Sequence, residues 1–250
     1  MKPVMILAPI LIALFLLFDS MPSKAQATLW ETYQSAGHQA IEDRRMADAE
    51  RLLLAAAKHI ETISPDDPRL ANTLNDLGVL YGMQNRDIEA EPLFERALVI
   101  NEKAFGRQHP SVVLALQNLS VIYASQNKFP EAHRAARESL EIGLYLFGMD
   151  HPRIGSTCRT LATVYALQGK YEEAERLAEK SIVIFENTLG ERHPETAQSL
   201  KMMITLMWAT HREREAQKLE TRLNTIRQSS HSASESVDEA DHNGDKTSTP

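Results

Sequence analysis

Apolar residues recur along much of the chain with the period of an amphipathic helix, and the helices that they predict come in pairs. Between Pro68 and Pro110 the spacing i, i+3, i+4, i+7 predicts two helices joined by the polar turn 84–87. The residues on the packed faces of these two helices are Leu74, Leu77, Gly78 and Tyr81, followed by Ala90, Phe94 and Ala97. The segment therefore predicts a helical hairpin with one buried side.

The same pattern returns at a fixed interval. Pro68, Pro110, Pro152 and Pro194 follow one another 42 residues apart. A more divergent copy stands at the carboxyl end, and a first copy, shifted by one residue, begins near Leu29. A constant period of about 20–50 residues is typical of stacked repeats. The pattern predicts an all-α solenoid of about five helical hairpins, with repeats over 29–67, 68–109, 110–151, 152–193 and 194–227.

Residues at the repeat boundaries predict where the helices begin and end. A proline in the first turn sacrifices no hydrogen bond, because its missing N–H would be unpaired there anyway. The residues expected to cap these turns are Asp67 and, at the equivalent positions, the weaker caps His109, His151 and His193. Gly106, Gly148 and Gly190 are expected to end the second helices in a left-handed conformation. Pro92 and Pro130 are expected near the starts of their helices.

Small residues predict a close approach of the two helices within each pair. Gly78 is expected to face Ala90, while Ser120 and Ala162 occupy the position of Gly78 in the next two repeats. Ala132 holds the position of Ala90 in the third repeat. Larger apolar residues are then expected to fill the space between one pair and the next.

These residues carry a family resemblance. The pattern of small and large residues resembles the tetratricopeptide repeat, and the phrases AEPLFERAL, LATVYALQGKYEEAERLAEKSI and LGERHP resemble its kinesin-light-chain type. The resemblance extends from about Leu29 to Arg227. It implies a right-handed superhelix whose first helices line a concave groove that holds a peptide or helix of a partner. Attachment to a motor is not carried over, because the amino terminus predicts a different compartment.

The resemblance also implies which residues line the groove, namely those that flank the packed stripe of each first helix. The candidate partner-binding residues are Asn75, Asp76, Met83, Gln117, Asn118, Ser125, Arg159, Thr160, Thr163, Lys201 and Trp208, with Val79, Val121, Leu167 and Met202 beside them. Asn and Gln offer donors and acceptors to an extended backbone. Arg159 and Lys201 predict a positive lining suited to an acidic side chain or a terminal carboxylate. The alternative is that all of these are ordinary solvated residues.

Composition and the lack of catalytic motifs argue against several classes of function. The formal net charge of -7 argues against nucleic-acid binding, which needs a basic surface. Cys158 is the only cysteine, so no intramolecular disulfide can form, and its place on a packed face predicts a buried thiol rather than a nucleophile. The repeat-boundary histidines stand one per repeat and are not expected to converge on one metal ion. No phosphate-binding loop or hydrolase motif occurs. The sequence therefore predicts no catalysis and no cofactor, and a protein or peptide as the partner.

The amino terminus predicts export. An uncharged apolar run from Val4 to Phe18 follows Lys2 and is shorter than the about 20 residues that a spanning helix needs. Small residues offer cleavage sites after Ala25 or Ala27, so 1–25 is expected to be a signal peptide and the protein periplasmic or secreted. The alternative is an uncleaved anchor in the inner membrane, facing the periplasm. A formal glycosylation acceptor at Asn118 falls inside a predicted helix, which favours a bacterial periplasm.

The carboxyl end changes character after Gln228. Residues 228–250 carry five acids and one lysine with almost no large apolar side chain, which predicts a disordered acidic tail. The whole sequence predicts a non-catalytic exported scaffold that binds a protein partner through its groove. The alternative function is an anchored assembly or dimerisation module of an envelope complex.

Overall fold

The computed structural model describes residues 23–226, so the predicted acidic tail and nearly all of the predicted signal peptide lie outside the described residues. Within this range the chain forms ten α-helices and no strand, which confirms the all-α prediction. The helices are α1 Ser23–Glu42, α2 Met46–Ile63, α3 Pro68–Met83, α4 Asp87–Phe105, α5 Pro110–Ser125, α6 Phe129–Phe147, α7 Pro152–Leu167, α8 Tyr171–Leu189, α9 Pro194–Ala209 and α10 213–226. None of the described helices is both long and apolar enough to cross a bilayer.

Consecutive helices form five hairpins, each closed by the same tight turn. In the second repeat, the N–H of Arg86 donates to the carbonyl of Tyr81, and the N–H of Asn85 donates to the carbonyl of Gly82. This is the Schellman pattern, which requires a residue with positive φ. The residues that adopt it, one per repeat, are Arg44, Asn85, Asn127, Gly169 and His211, with φ between 58° and 77°.

The predicted caps at the starts of the first helices are confirmed. The carboxylate of Asp67 accepts a hydrogen bond from the N–H of Arg69 at 2.8 Å. The three histidines cap α5, α7 and α9 in the same way, each accepting through Nδ1 from the N–H two residues ahead at 3.1–3.2 Å: His109, His151 and His193. Capping accounts for their presence at the repeat boundaries.

Two predictions about helix ends need correction. Gly106, Gly148 and Gly190 have positive φ as expected, but their ψ angles of 168°, 176° and 159° place them in an extended region rather than the left-handed helical one. That region is essentially restricted to glycine. Pro92 lies in the interior of α4 rather than at its start, whereas Pro130 is the second residue of α6.

The buried face of each hairpin centres on small residues. One alanine per repeat is fully buried at the equivalent position of the second helix: Ala49, Ala90, Ala132, Ala174 and Ala216. The nearest neighbour of Gly78, however, is the ring of Phe94 rather than Ala90, and Gly37 contacts Leu53 in the same way. A missing side chain on the first helix thus makes room for a large one on the second.

The hairpins stack so that the first helices form one layer and the second helices another. First helices of successive repeats contact each other directly, α3 with α5, α5 with α7 and α7 with α9. Among the described second helices α2, α4, α6 and α8, successive members make no contact of comparable extent. Because the inner layer of a curved stack is the more closely spaced one, the first helices line the concave side. This agrees with the expectation from the sequence.

Candidate partner-binding groove

The groove is the face that each first helix leaves uncovered. One side of the helix packs on second helices, and its flanks pack on neighbouring first helices. The remaining face carries large apolar side chains with substantial exposure: Val79 at 40%, Met83 at 58% and Leu167 at 47%. Trp208 is 41% exposed, and its Nε1 donates to the Glu220 carboxylate on α10 at 3.0 Å. Solvent-exposed apolar side chains on a concave surface are typical of a binding site.

The predicted lining residues differ in exposure. Met83, Ser125, Lys201 and Trp208 are exposed. The half-buried members of the set are Asn75, Asp76, Asn118, Arg159, Thr160 and Thr163. Gln117 is buried, at 8% exposure, and its Nε2 donates to Oγ1 of Thr157 at 2.6 Å, which links α5 to α7. The prediction that Gln117 lines the groove is therefore wrong, because its amide is used between repeats.

Gln117 belongs to a series of polar contacts that joins successive first helices, which the sequence reasoning missed. Nδ2 of Asn118 donates to Oδ1 of Asn75 at 2.7 Å, linking α5 to α3. Asp76 accepts from Gln34 and contacts Nε2 of His38 at 2.8 Å, linking α3 to α1. These contacts hold the first-helix layer together across its concave side. The only trace of them in the sequence is a polar residue at the same position in all five repeats: Gln34, Asn75, Gln117, Arg159 and Lys201.

The expected positive lining is also reduced. Nη2 of Arg159 contacts the Glu195 carboxylate at 2.6 Å, and the guanidinium lies over the ring of Phe185 at 5.5 Å. Its charge is therefore already balanced within the chain. No carboxylate among residues 23–226 pairs with Lys201, which leaves it as the single unpaired cation among the predicted lining residues.

Most other ion pairs lie away from this face, in the turns and the second helices. An acid on one second helix pairs with a base at the start of the next, as in Glu50 with Arg86 at 2.8 Å. The equivalent pairs are Glu91 with Lys128 and Glu175 with Arg212, both at 2.7 Å. The hydrogen bonds from Arg86, assisted by one from the hydroxyl of Tyr81, lower the pKa of Glu50 below its ordinary value. At the junction of the third and fourth repeats His133 replaces this acid and contacts Gln168 at 2.7 Å.

A second concavity lies in the second-helix layer. It is a cleft of about 760 Å³ along α6, and its walls include Arg107, Arg134, Arg137, Glu138 and Tyr145. Arg107 is paired with Glu138 across it. The cleft contains none of the residues predicted to bind a partner.

The remaining candidates have structural roles. Cys158 is 1% exposed, and burial raises the pKa of its thiol, which is the packed state expected from the sequence. Within the described part of the chain, no three His, Cys, Asp or Glu side chains come together as they would to hold a metal ion.

Known proteins share this architecture. A family model described as Tetratricopeptide repeat matches residues 31–103, 84–143 and 154–229. A kinesin-light-chain protein from Podosopora anserina with nearly identical TPR-like repeats has 21% identity and a TM-score of 0.61, over 80% of this chain and 95% of that one. BtubC (BKLC) from P. vanneervenii has 21% identity and a TM-score of 0.63, over 82% of each chain.

A Rap protein also has a similar fold. A Rap protein solved in complex with Competence and Sporulation Factor has 15% identity and a TM-score of 0.69, over 79% of this chain and 53% of that one. A search of curated proteins found no match. At these identities the solved structures show the shared fold, while the family model covers most of the repeats. The chain belongs to the tetratricopeptide repeat family.

Proposed function

We propose that this protein is a non-catalytic scaffold that binds a protein or peptide partner through its concave first-helix face. The observation that carries the proposal is the row of exposed apolar side chains on that face, represented by Val79, Met83 and Leu167. Leaving such side chains in water is unfavourable, and a partner that covers them gains about 25 cal/mol per Å² of apolar surface.

A similar fold is known to hold a peptide, which supports the proposal by analogy. Two Rap proteins were solved in complex with ligands named as Competence and Sporulation Factor and the Phr* peptide, and they share 15% and 16% identity with this chain. The fold is common to many functions, so the argument for this chain depends on its own exposed residues.

Photo-crosslinking in the cell that makes the protein tests the proposal. A photoreactive amino acid at Val79 or Leu167 reports on the groove, and the same group at Val99 or Val183 is the control on the second helices, where the native side chains are 62% and 48% exposed. We expect one crosslinked partner from the groove positions only. Crosslinks confined to Val99 and Val183 would refute the proposal.

We also propose that the scaffold is exported, on the basis of the uncharged run from Val4 to Phe18 and the small residues after it. The alternative is that this run remains as an inner-membrane anchor for an assembly or dimerisation module. The mass of the mature protein distinguishes the two. Loss of about the first 25 residues supports the soluble exported form, and a full-length mass in the membrane fraction supports the anchored one.

A further inference from the structure

Charge is distributed unequally between the two helix layers. Helix α5, at the centre of the groove, has no charged residue in its 16 positions. The neighbouring second helix α6 has five in its 19 positions: Glu131, Arg134, Arg137, Glu138 and Glu141. On α3 the Asp76 carboxylate is turned toward α1, where it accepts from the neutral amide of Gln34 and contacts His38, and on α7 Arg159 is balanced by Glu195. The part of the groove along α5 therefore presents no charge of its own.

This neutrality restricts the ligand. A charged side chain placed against α5 would lose its hydration and gain no counter-charge, which is costly even when only partly buried. Apolar side chains of a ligand would instead meet Val79 and Met83 on α3, Leu114 on α5 and Leu167 on α7, all between 40% and 58% exposed. The surface thus favours apolar side chains over charged ones.

The same face also has hydrogen-bonding groups for a backbone. Asn118 and Asn75 share one bond, from Nδ2 to Oδ1. That bond leaves the carbonyl oxygen of Asn118 and the amino group of Asn75 to accept from and donate to a ligand. A helix satisfies its own backbone groups and needs neither, whereas an extended segment needs both. The arrangement favours an extended ligand.

The spacing of the repeats sets the length of the ligand segment that the groove can hold. Packed helices lie about 8–10 Å apart, which equals about three residues of extended chain. A segment that reaches from α3 to α9 crosses three such intervals and therefore needs about nine residues. Lys201 and Trp208 stand at the α9 end of this path.

We infer that the groove selects an extended, uncharged segment of a partner protein, about nine residues long and with apolar side chains facing α3, α5 and α7. The inference rests on the proposed function and replaces the acidic ligand expected from Arg159 and Lys201. It predicts that binding depends little on ionic strength, because no ion pair forms.

Selection from a random peptide library tests the inference. Phage displaying random peptides of about twelve residues are selected on the purified full chain, and the enriched peptides are synthesised for affinity measurement. We expect sequences poor in Asp, Glu, Lys and Arg, with a Kd that changes less than about twofold between about 50 mM and 500 mM NaCl. Leu167→Asp and Val79→Asp should each weaken binding about tenfold or more, because a carboxylate would be desolvated.

Matched variants serve as the control. Val99→Asp and Val183→Asp introduce the same charge at exposed positions of the second helices and should leave the Kd within about twofold. A third control, Arg137→Ala, alters the wall of the α6 cleft. Circular dichroism of all five variants establishes that they fold.

The outcomes separate the inference from the proposed function. Enrichment of acidic peptides that depend on Lys201 and on the groove would overturn the inference and leave the proposed function standing. Peptides that bind the groove variants unchanged and fail on Val99→Asp or Arg137→Ala would overturn both, since Arg137 lines the α6 cleft. Failure to enrich any peptide would count against the inference.

Discussion

The contact between Gly78 and Phe94 allows the packing of a repeat to be tested with a single methyl group. A Cβ at position 78 would lie 2.6–2.8 Å from three atoms of the Phe94 ring. Carbon atoms in contact ordinarily stay about 3.5–4.0 Å apart, so the ring would have to move by about 1 Å. Phe94 is only 2% exposed and has no open space into which to turn.

The expected cost of Gly78→Ala follows from two opposing effects. Overpacking a well-packed core costs about 1–3 kcal/mol, and replacing glycine by alanine within a helix returns about 1 kcal/mol. The net loss in the free energy of unfolding should be about 0–2 kcal/mol. Gly82→Ala is the matched control in the same helix, because its Cβ would meet only Cδ1 of Ile122 at 3.4 Å. We expect Gly82→Ala to be neutral or stabilising by up to about 1 kcal/mol.

The next repeat suggests a compensating change. Ser120 and Ala136 stand where Gly78 and Phe94 stand one repeat earlier, and both are buried. Phe94→Ala alone should cost about 3–5 kcal/mol, since it leaves a cavity. The double variant Gly78→Ser, Phe94→Ala recreates the pair of the third repeat and should cost less than the sum of its single changes by about 0.5–3 kcal/mol.

Urea unfolding followed by circular dichroism measures all of these variants. The urea concentration at the midpoint reports the change in stability, provided that the dependence of the free energy of unfolding on urea concentration is the same in each variant. Two results would refute the packing argument. One is a Gly78→Ala midpoint equal to that of Gly82→Ala, and the other is strict additivity in the double variant.

Four further predictions concern other positions. Ala132→Phe adds a ring at a fully buried position and should cost about 1–3 kcal/mol; an unchanged melting temperature would contradict the packed face. Gly106→Ala should lower the free energy of unfolding by about 1–3 kcal/mol. A Cβ at this position would meet no atom within 4 Å, so the cost comes from the backbone, whose φ of +78° is unfavourable for alanine. The urea midpoint measures this change. Arg86 lowers the pKa of Glu50, so the carboxylate stabilises the fold above its unfolded pKa of about 4.3, and this stability is lost as pH falls through the lower folded value. Glu50→Gln should therefore be less stable than wild type at pH 7 and equal to it at low pH, and equal stability at pH 7 would contradict this. Cys158, at 1% exposure, should react with a maleimide only after denaturant is added, and rapid labelling of the native protein would contradict its burial.

Features that depend on one repeat could be predicted from the sequence. The start of a helix follows from two adjacent residues, a capping side chain and the proline after it, as at Asp67 and Pro68. The buried faces follow from spacing along one helix, as for Leu74 and Leu77, which are at most 4% exposed. Both kinds of feature involve residues close together in the chain, and the 42-residue period repeats the information.

Features that depend on the neighbouring repeat could not. Gln117 is buried because Thr157, 40 residues later, accepts its amide. Arg159 is neutralised by Glu195, 36 residues later. Nothing within a single helix distinguishes such a residue from a solvated one, because the partner comes from an adjacent first helix. The prediction that Arg159 gives the groove a positive lining failed for this reason, whereas the exposure of Met83 depends on no such partner.

The proposed function rests on binding of the partner at the concave first-helix face. The most direct measurement is the affinity of the partner recovered by crosslinking, determined by titration calorimetry for Val79→Asp and Leu167→Asp in the groove and for Val99→Asp and Val183→Asp on the second helices. The two groove variants should weaken binding about tenfold or more, because a carboxylate would be desolvated, while the two second-helix variants should bind like wild type. Full affinity in the groove variants, with loss in the second-helix variants, would contradict it.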